Sequence, residues 1–358
     1  MKIINEDVIG FDDIILVPQH SDINSRSEID TSVHMTNYDN KKTINFKIPI
    51  ISSPMSTITE AHMCNAMNVQ GGLGIIHRYN SIDYQAKLIG FVNNNATRAA
   101  AIGVSGDFKE RLSALVEKDL SIVCIDVAHG DHKLMEYAID FVKSEYPDLF
   151  VIAGNVATGD AYKNLAKFGA DAIRTSVGSG SICTTRIQTG HGVPTLHAVI
   201  ECSRARQEMI DSEPNISGRG MPYIIADGGI KNSGDIVKSL AAGADFVMLG
   251  SMLSGTKETP GKVIINDKNK KVKRYNGMAS KLAQKDWKGS YSSIEGVSSI
   301  VPYKGTVSRI VNEIMANVRS GMSYSGVRSL NEFREKSIAY RQTTASHAEG
   351  SPHIFNRK

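Results

Sequence analysis

A closed barrel of eight parallel strands, with helices between them, is the fold class this sequence predicts, and three observations predict it. Eight short β-branched runs recur along the chain, most of them almost wholly apolar, as strands buried on both faces must be. The segments between them have helical spacing and charged faces, so successive strands are joined by crossovers. The runs tend to end in Gly, Asn, Asp or Ser, where a (β/α)8 TIM barrel keeps its chemistry.

In chain order the predicted strands are Ile48–Ile51, Leu73–Ile76, Ala99–Val104, Ile122–Val127, Leu149–Ala153, Ala172–Ser176, Tyr223–Ala226 and Phe246–Leu249. Leu134–Lys143 and Asp160–Phe168 exemplify the helices between them. Eight strands with seven crossovers favour closure over an open sheet, and residues 1–358 are read as one α/β catalytic domain. Two segments break the rhythm. Gly178–Thr195 is a Gly/Ser/Thr loop carrying a cysteine. Ser254–Gly305 is a long insertion after the eighth strand, with a hairpin signal over Val263–Val272, and is expected to form a mobile flap over the mouth. Thr306–Arg319 returns to helical periodicity as a closing helix, and the polar tail from Thr343 is expected to pack on a neighbour or fray.

Composition narrows the function classes. The net charge of +4 is mild and its Lys and Arg are dispersed, which argues for a small anionic ligand and against nucleic acid. Four scattered cysteines, Cys64, Cys124, Cys183 and Cys202, form no Cys-x-x-Cys pair, so a reducing cytoplasm is expected. Cys64 and Cys202 fall in predicted helices and Cys124 in a predicted strand. The opening MKIINEDVIGFDD lacks the apolar core of a signal peptide, and no apolar run reaches membrane-spanning length; a soluble protein without a membrane partner is expected.

Several constellations carry chemistry. Ile225-Ala-Asp-Gly-Gly-Ile230 and Leu249-Gly-Ser251 follow the last two strands, where glycine backbone N–H groups and helix N-termini hold phosphate in barrels. Asp227 suits a ribose hydroxyl, since a carboxylate would repel the phosphate itself. In Val177-Gly-Ser-Gly-Ser-Ile-Cys-Thr-Thr-Arg186, a cysteine within a polar loop reads as a nucleophile, with N–H donors and Arg186 expected to favour the thiolate; the alternative is a free surface thiol. Glu295, in the flap motif Ser292-Ser-Ile-Glu-Gly296, can serve as an acid/base group if the flap closes, although most flap glutamates are merely solvated. His129-Gly-Asp-His132, with Asp126, offers metal-ligand residue types, but turn polarity or cofactor contact is the favoured use. No Gly-x-Gly-x-x-Gly opens a helix to declare a dinucleotide preference.

These motifs together resemble the IMP dehydrogenase/GMP reductase family along nearly the whole chain. Gly10-Phe-Asp-Asp-Ile-Ile-Leu-Val-Pro18, Ser53-Pro-Met55, Gly71-Gly-Leu-Gly74, Ile152-Ala-Gly-Asn155, the cysteine loop, Ala226-Asp-Gly-Gly229 and Tyr275-Asn-Gly-Met278 are each similar to a family motif and stand in the family's order. The resemblance implies that Cys183 attacks purine C2 to form a covalent thioimidate. It implies that Ser181, Gly229, Gly250, Ser251 and Tyr275, with Gly228 beside them, hold the 5′-phosphate, and that Asp227 holds the ribose. Ser53, Met55, Gly277 and Met278 would line the nucleotide pocket. Asp126 matches a nicotinamide-ribose contact, with Ala128 and His129 next to it, and Thr185 and Glu295 resemble the family's Thr–Glu pair. Carbonyls of Gly178, Gly180 and Cys183, with Glu349-Gly350-Ser351 of a neighbouring subunit, resemble its potassium site, and the family's tetramers imply a homotetramer. The chain departs from the pattern where Gly-Pro-Gly-Ser reads Gly178-Ser-Gly-Ser181 and where a preceding glycine is Ser176, which puts loop stiffness and ion binding in question.

The resemblance leaves two activities. A dehydrogenase hydrolyses the thioimidate with an Arg–Tyr pair in a long flap and uses NAD; a reductase releases ammonia from GMP and then needs hydride from NADPH. Between Gly277 and Glu295 lie 17 residues, Met278 to Ile294, with no arginine. No regulatory domain pair is inserted near 91–97, and Ile354-Phe-Asn356 resembles some bacterial reductases. Against these, Glu349-Gly-Ser351 is dehydrogenase-like, and the arginine that precedes the glutamate in many reductases is Ser292 or Ser293 here. The balance favours a reductase of purine salvage. A flavin-binding barrel with an incidental cysteine and a non-catalytic purine-nucleotide sensor are the readings from other classes.

Overall fold

The computed structural model describes residues 1, 3–37, 42–212, 220–350 and 352. Eight parallel strands close into the expected barrel: β1 (Ile50–Ser52), β2 (Leu73–Ile76), β3 (Ala99–Ile102), β4 (Ile122–Asp126), β5 (Phe150–Val156), β6 (Ala172–Thr175), β7 (Tyr223–Asp227) and β8 (Phe246–Leu249). The ring shuts where Val247, Met248 and Leu249 pair with Ile50, Ile51 and Ser52. β1 starts two residues later than its apolar run. Pro49 cannot donate to a ladder, and the Lys47 and Ile48 N–H groups are already taken by the Gly71 carbonyl. β5 runs on through Gly154 and Asn155 to Val156, with a register shift against β6 at that point.

The main outer helices are α1 (Ala61–Gln70), α2 (Ile82–Gly90), α3 (Phe108–Val116), α4 (Lys133–Glu145), α5 (Gly159–Phe168), α6 (Thr195–Ser212), α7 (Ser233–Ala241) and α8 (Val307–Tyr324). α8 is the expected closing helix, extended beyond Arg319. The cysteines fall as expected, Cys64 in α1, Cys124 in β4 and Cys202 in α6. No helix among the described residues is long and apolar enough to cross a membrane.

A repeated Gly-Ala-Asp staples the crossovers. Gly169 and Gly243 take positive φ beyond the ends of α5 and α7, the next alanine is buried, and the aspartate reaches sideways. Asp171 accepts from the Val151 N–H and Lys143 Nζ; Asp245 accepts from the Ile224 N–H, Arg206 and Arg334. Each carboxylate thus fastens the start of its own strand to the neighbouring strand.

Two additions escaped the sequence pattern. Strands Val33–Thr36 and Thr43–Phe46 form an antiparallel pair at the barrel's N-terminal end. Phe46 meets Phe246 edge-on at 5.3 Å, and the Tyr223 hydroxyl donates to the His34 carbonyl. Near the chain ends, Ile14–Leu16 pairs antiparallel with Ala339–Arg341. The described tail continues as a short exposed helix, Thr344–Glu349, capped by Thr343. Ser351 and Ile354-Phe-Asn356 lie outside the described residues.

Asp245→Ala leaves two guanidinium groups without their shared carboxylate, one of them on the well-buried Arg206. A loss of about 3 kcal/mol in unfolding free energy is expected, read as a lower denaturant midpoint at unchanged slope.

Candidate active site

A cavity of about 350 Å³ opens at the C-terminal mouth, walled by the ends of the barrel strands, the cysteine loop and the flap. A larger groove of about 830 Å³ lies on the outer wall between α7, α8 and Ile15–Pro18, and none of its lining residues is a cysteine. Every proposed catalytic and nucleotide-binding position lines the mouth cavity, as do Asp126 and Ala128. His129 is exposed on the same loop and does not line it.

The cysteine loop leaves β6 through Ser176, which has φ +118 where the resemblance calls for glycine. Its backbone is therefore held in a conformation that L side chains rarely adopt, at a cost of roughly 1–3 kcal/mol. Val177 and Val193 bridge the loop's base. Ser179, in the proline position, donates to the Val193 carbonyl and accepts from Arg186 Nη2 at 2.8 Å. Hydrogen bonds thus replace ring rigidity. Arg186 is spent on this brace, which corrects the expectation that it serves the thiol: its aliphatic stem fills the space above Gly178 and Gly192, where a Cβ would collide with it.

Cys183 is half-buried, and its Sγ donates to Thr185 Oγ1 at 3.2 Å. Thr185 Oγ1 donates in turn to Glu295 Oε2 at 2.8 Å, and Ser293 donates to Glu295 Oε1. The glutamate comes from 110 residues downstream, brought back because the flap's return segment pairs with the loop. Thr184 N–H binds the Glu295 carbonyl, Val297 N–H binds the Ile182 carbonyl, and Cys183 bridges Gly296. The arrangement is a relay from thiol to hydroxyl to carboxylate, able to take a proton from sulfur or return one to a leaving group. The other three cysteines are buried. Desolvation raises each of their pKa values, that of Cys124 to about 12.

Gly228 and Gly229 adopt positive φ and approach the cysteine loop so closely that a Cβ on Gly228 would lie 3.1 Å from the Gly180 nitrogen. A Cβ on Gly250 would meet Met55, Ser53 and the Tyr275 hydroxyl, all within 3.2 Å. Ser181 Oγ lies 3.2 Å from the Tyr275 hydroxyl, whose pKa burial raises. Ser53 Oγ is buried without a hydrogen-bond partner. These groups form a cradle of backbone and hydroxyls suited to a phosphate.

The floor carries charge. Arg174, buried on β6, donates to Asp126 at the end of β4 and to Asp227 at the end of β7. Asn155 donates to the same Asp227 oxygen. No sequence motif named Arg174; the available signal was an arginine inside the otherwise apolar run Ala172-Ile-Arg174. Arg78 and Tyr79 were missed too. Arg78 Nε is buried without a hydrogen-bond partner and lies 3.9 Å from Asp126. The Tyr79 ring stacks at 4.1 Å on Trp287, in the flap helix Lys281–Lys288. His132 and Asp131 are committed to local structure, His132 capping α4 and Asp131 accepting from Asn164. The described residues hold no cluster of three or more His, Cys, Asp or Glu arranged for a metal ion.

A family model described as the IMP dehydrogenase/GMP reductase domain matches residues 8–353. Inosine-5′-monophosphate dehydrogenase of Nitrosopumilus maritimus is 31% identical, covering 96% of this chain and 98% of its own. That of Borreliella burgdorferi is 33% identical, with 98% of each chain covered. GMP reductase of Shewanella pealeana is 33% identical, covering 95% of this chain and 96% of its own. The archaeal alignment runs over 482 positions, more than the 358 residues here, so that relative carries an insertion; the Shewanella alignment runs over 351.

Because Cys183 alone among the four thiols is partly exposed, brief iodoacetamide treatment of native protein should add one carbamidomethyl group, at Cys183. Peptide mass mapping that finds Cys64, Cys124 or Cys202 modified at the same rate would contradict this burial pattern.

Proposed function

Since the chain belongs to the IMP dehydrogenase/GMP reductase family, whose members are oxidoreductases acting on purine nucleoside monophosphates with a nicotinamide cofactor, we propose that it is a GMP reductase, converting GMP and NADPH to IMP, ammonia and NADP⁺. The observation that carries this choice is the flap. Met278 to Ile294 contains no arginine to activate water beside a tyrosine. Of its lysines, Lys281 lies over the Tyr291 ring and Lys288 over Trp287. The near-equal alignment length with a GMP reductase also supports it.

In this reading the 5′-phosphate sits on Ser181, Gly228, Gly229, Gly250, Ser251 and Tyr275, and the ribose on Asp227. Ser53, Met55, Gly277 and Met278 hold the base against Cys183. Glu295 draws the thiol proton through Thr185, and the sulfur attacks C2. The relay then returns a proton to the exocyclic amine, and ammonia leaves a thioimidate. A bound nicotinamide cofactor would supply hydride chemistry at C2; as the C–S bond then broke, Cys183 would leave as thiolate and take a second proton, drawn from water, through Thr185 and Glu295. Asp126 and Ala128, with the exposed His129 beside them, would hold the nicotinamide ribose, and Arg78, whose Nε has no hydrogen-bond partner and lies 3.9 Å from Asp126, suits a polyanionic dinucleotide. Carbonyls of Gly178, Gly180 and Cys183 can take potassium together with Glu349, Gly350 and Ser351 of a neighbouring copy in a homotetramer; no step above requires it.

IMP dehydrogenase is the second reading, favoured by Ser292 and Ser293, which leave guanine without the arginine many reductases present. Paired assays separate the two: loss of 340 nm absorbance with GMP and NADPH is expected, and its gain with IMP and NAD⁺ alone would reverse the assignment. Cys183→Ala should abolish turnover while GMP still binds, and retained activity would end the covalent mechanism. Glu295→Gln should lower kcat by roughly 10²-fold or more, with Kd for GMP changed far less. Equal losses in both would assign Glu295 to binding.

A further inference from the structure

The contacts of Arg174 divide its two carboxylates unevenly. On Asp227, three donors converge on Oδ2: Arg174 Nε at 3.2 Å, Arg174 Nη2 at 2.9 Å and Asn155 Nδ2 at 2.9 Å. Oδ1 receives none among the described residues. Asp126 is treated alike: Oδ1 takes Arg174 Nη1, while Oδ2 has only the Arg78 guanidinium, at 3.9 Å. Both aspartates and Arg174 line the mouth cavity. Each carboxylate is therefore pinned by one oxygen and keeps the other for a ligand. A ribose diol, which donates hydrogen bonds, is what such a fixed acceptor recognises.

One planar cation serving two strand ends has a further consequence. The guanidinium cannot tilt toward one carboxylate without loosening the other, because its nitrogens lie in a fixed fork. It is also buried among apolar strands, with Cys124 Sγ 3.6 Å away, so water is poorly placed to substitute for a lost partner.

We infer that Arg174 is a positioning residue that couples the two halves of the cavity, so that the Asp227 nucleotide site and the Asp126 dinucleotide site share one guanidinium and respond to each other. The inference rests on the ribose assignments of the proposed function. Its signature is that a change at Asp126 reaches nucleotide bound at Asp227 through Arg174. Neutralising Asp126 frees the guanidinium to close on Asp227, which takes the free oxygen from the ribose.

The test is calorimetric binding of GMP and of IMP, without dinucleotide, to wild type, Asp126→Asn, Arg174→Lys and the double variant. Lysine carries its donors on one nitrogen and lacks the planar fork with which Arg174 reaches Asp126 and Asp227 from different nitrogens. Asp126→Asn should weaken nucleotide binding about fivefold in the wild-type background and less than about twofold in the Arg174→Lys background. A purely structural Arg174 would leave the effect of Asp126→Asn the same in both. If Arg174→Lys does not fold, the single variant still decides: nucleotide affinity unmoved by Asp126→Asn overturns the coupling. Wild-type protein that binds neither GMP nor IMP overturns the functional reading itself.

Discussion

The candidate reactive centre depends on a short stretch of backbone pairing between the cysteine loop and the returning flap. Ile182, Cys183 and Thr184 meet Glu295, Gly296 and Val297 through hydrogen bonds of 2.8 and 3.0 Å and an antiparallel bridge. Because these are main-chain contacts, they fix where Glu295 stands regardless of side-chain rotamers. The same segment is tied at its other edge, where Glu295 N–H binds the Ala279 carbonyl and Gly277 N–H binds the Val297 carbonyl. A proton relay needs heavy atoms within hydrogen-bond reach, and this pairing brings the thiol, hydroxyl and carboxylate together.

Below the relay, the barrel floor solves an electrostatic problem. Two carboxylates at the ends of β4 and β7 face one cavity, and like charges so placed repel unless a cation lies between them. The buried guanidinium of Arg174 offsets both, and its pKa lies well above the ordinary arginine value because their attraction outweighs the burial that opposes it. The cradle that begins at Gly228 and Gly229, directly after Asp227, is built instead of N–H groups and hydroxyls. The cavity is polar in two senses at once, suiting a ligand that has a diol at one end and an anion at the other.

The departures in the cysteine loop are absorbed locally. Ser179 replaces a proline's fixed φ with two hydrogen bonds, to Val193 and from Arg186. Ser176 keeps a positive φ despite its Cβ, with its N–H fastened to the Val156 carbonyl at 2.7 Å. In the proposed chemistry, reductase and dehydrogenase share the thioimidate, reached by loss of ammonia in one and of hydride in the other, so neither substitution distinguishes them. The difference lies in what the flap presents to that intermediate.

The barrel and its working end were legible in the amino-acid order because both are local signals. Apolar β-branched runs mark doubly buried strands, and glycine after a strand marks a turn that backbone N–H groups must line. Cys183, Asp227, Gly229 and Ser251 could be placed at the mouth from such signals, and the resemblance supplied their roles. Sequence alone could not say that Arg186 braces its own loop, that Arg174 joins Asp126 to Asp227, or that Trp287 stacks on Tyr79. Those are contacts between residues far apart in the chain, or choices among several partners within reach of one long side chain. The terminal strand pair and the hairpin beneath the barrel were hidden for the same reason. Their strands are short and half-exposed, and their pairing is decided by what they cover. Periodicity records which face a segment buries; only closure of the barrel decides what it is buried against.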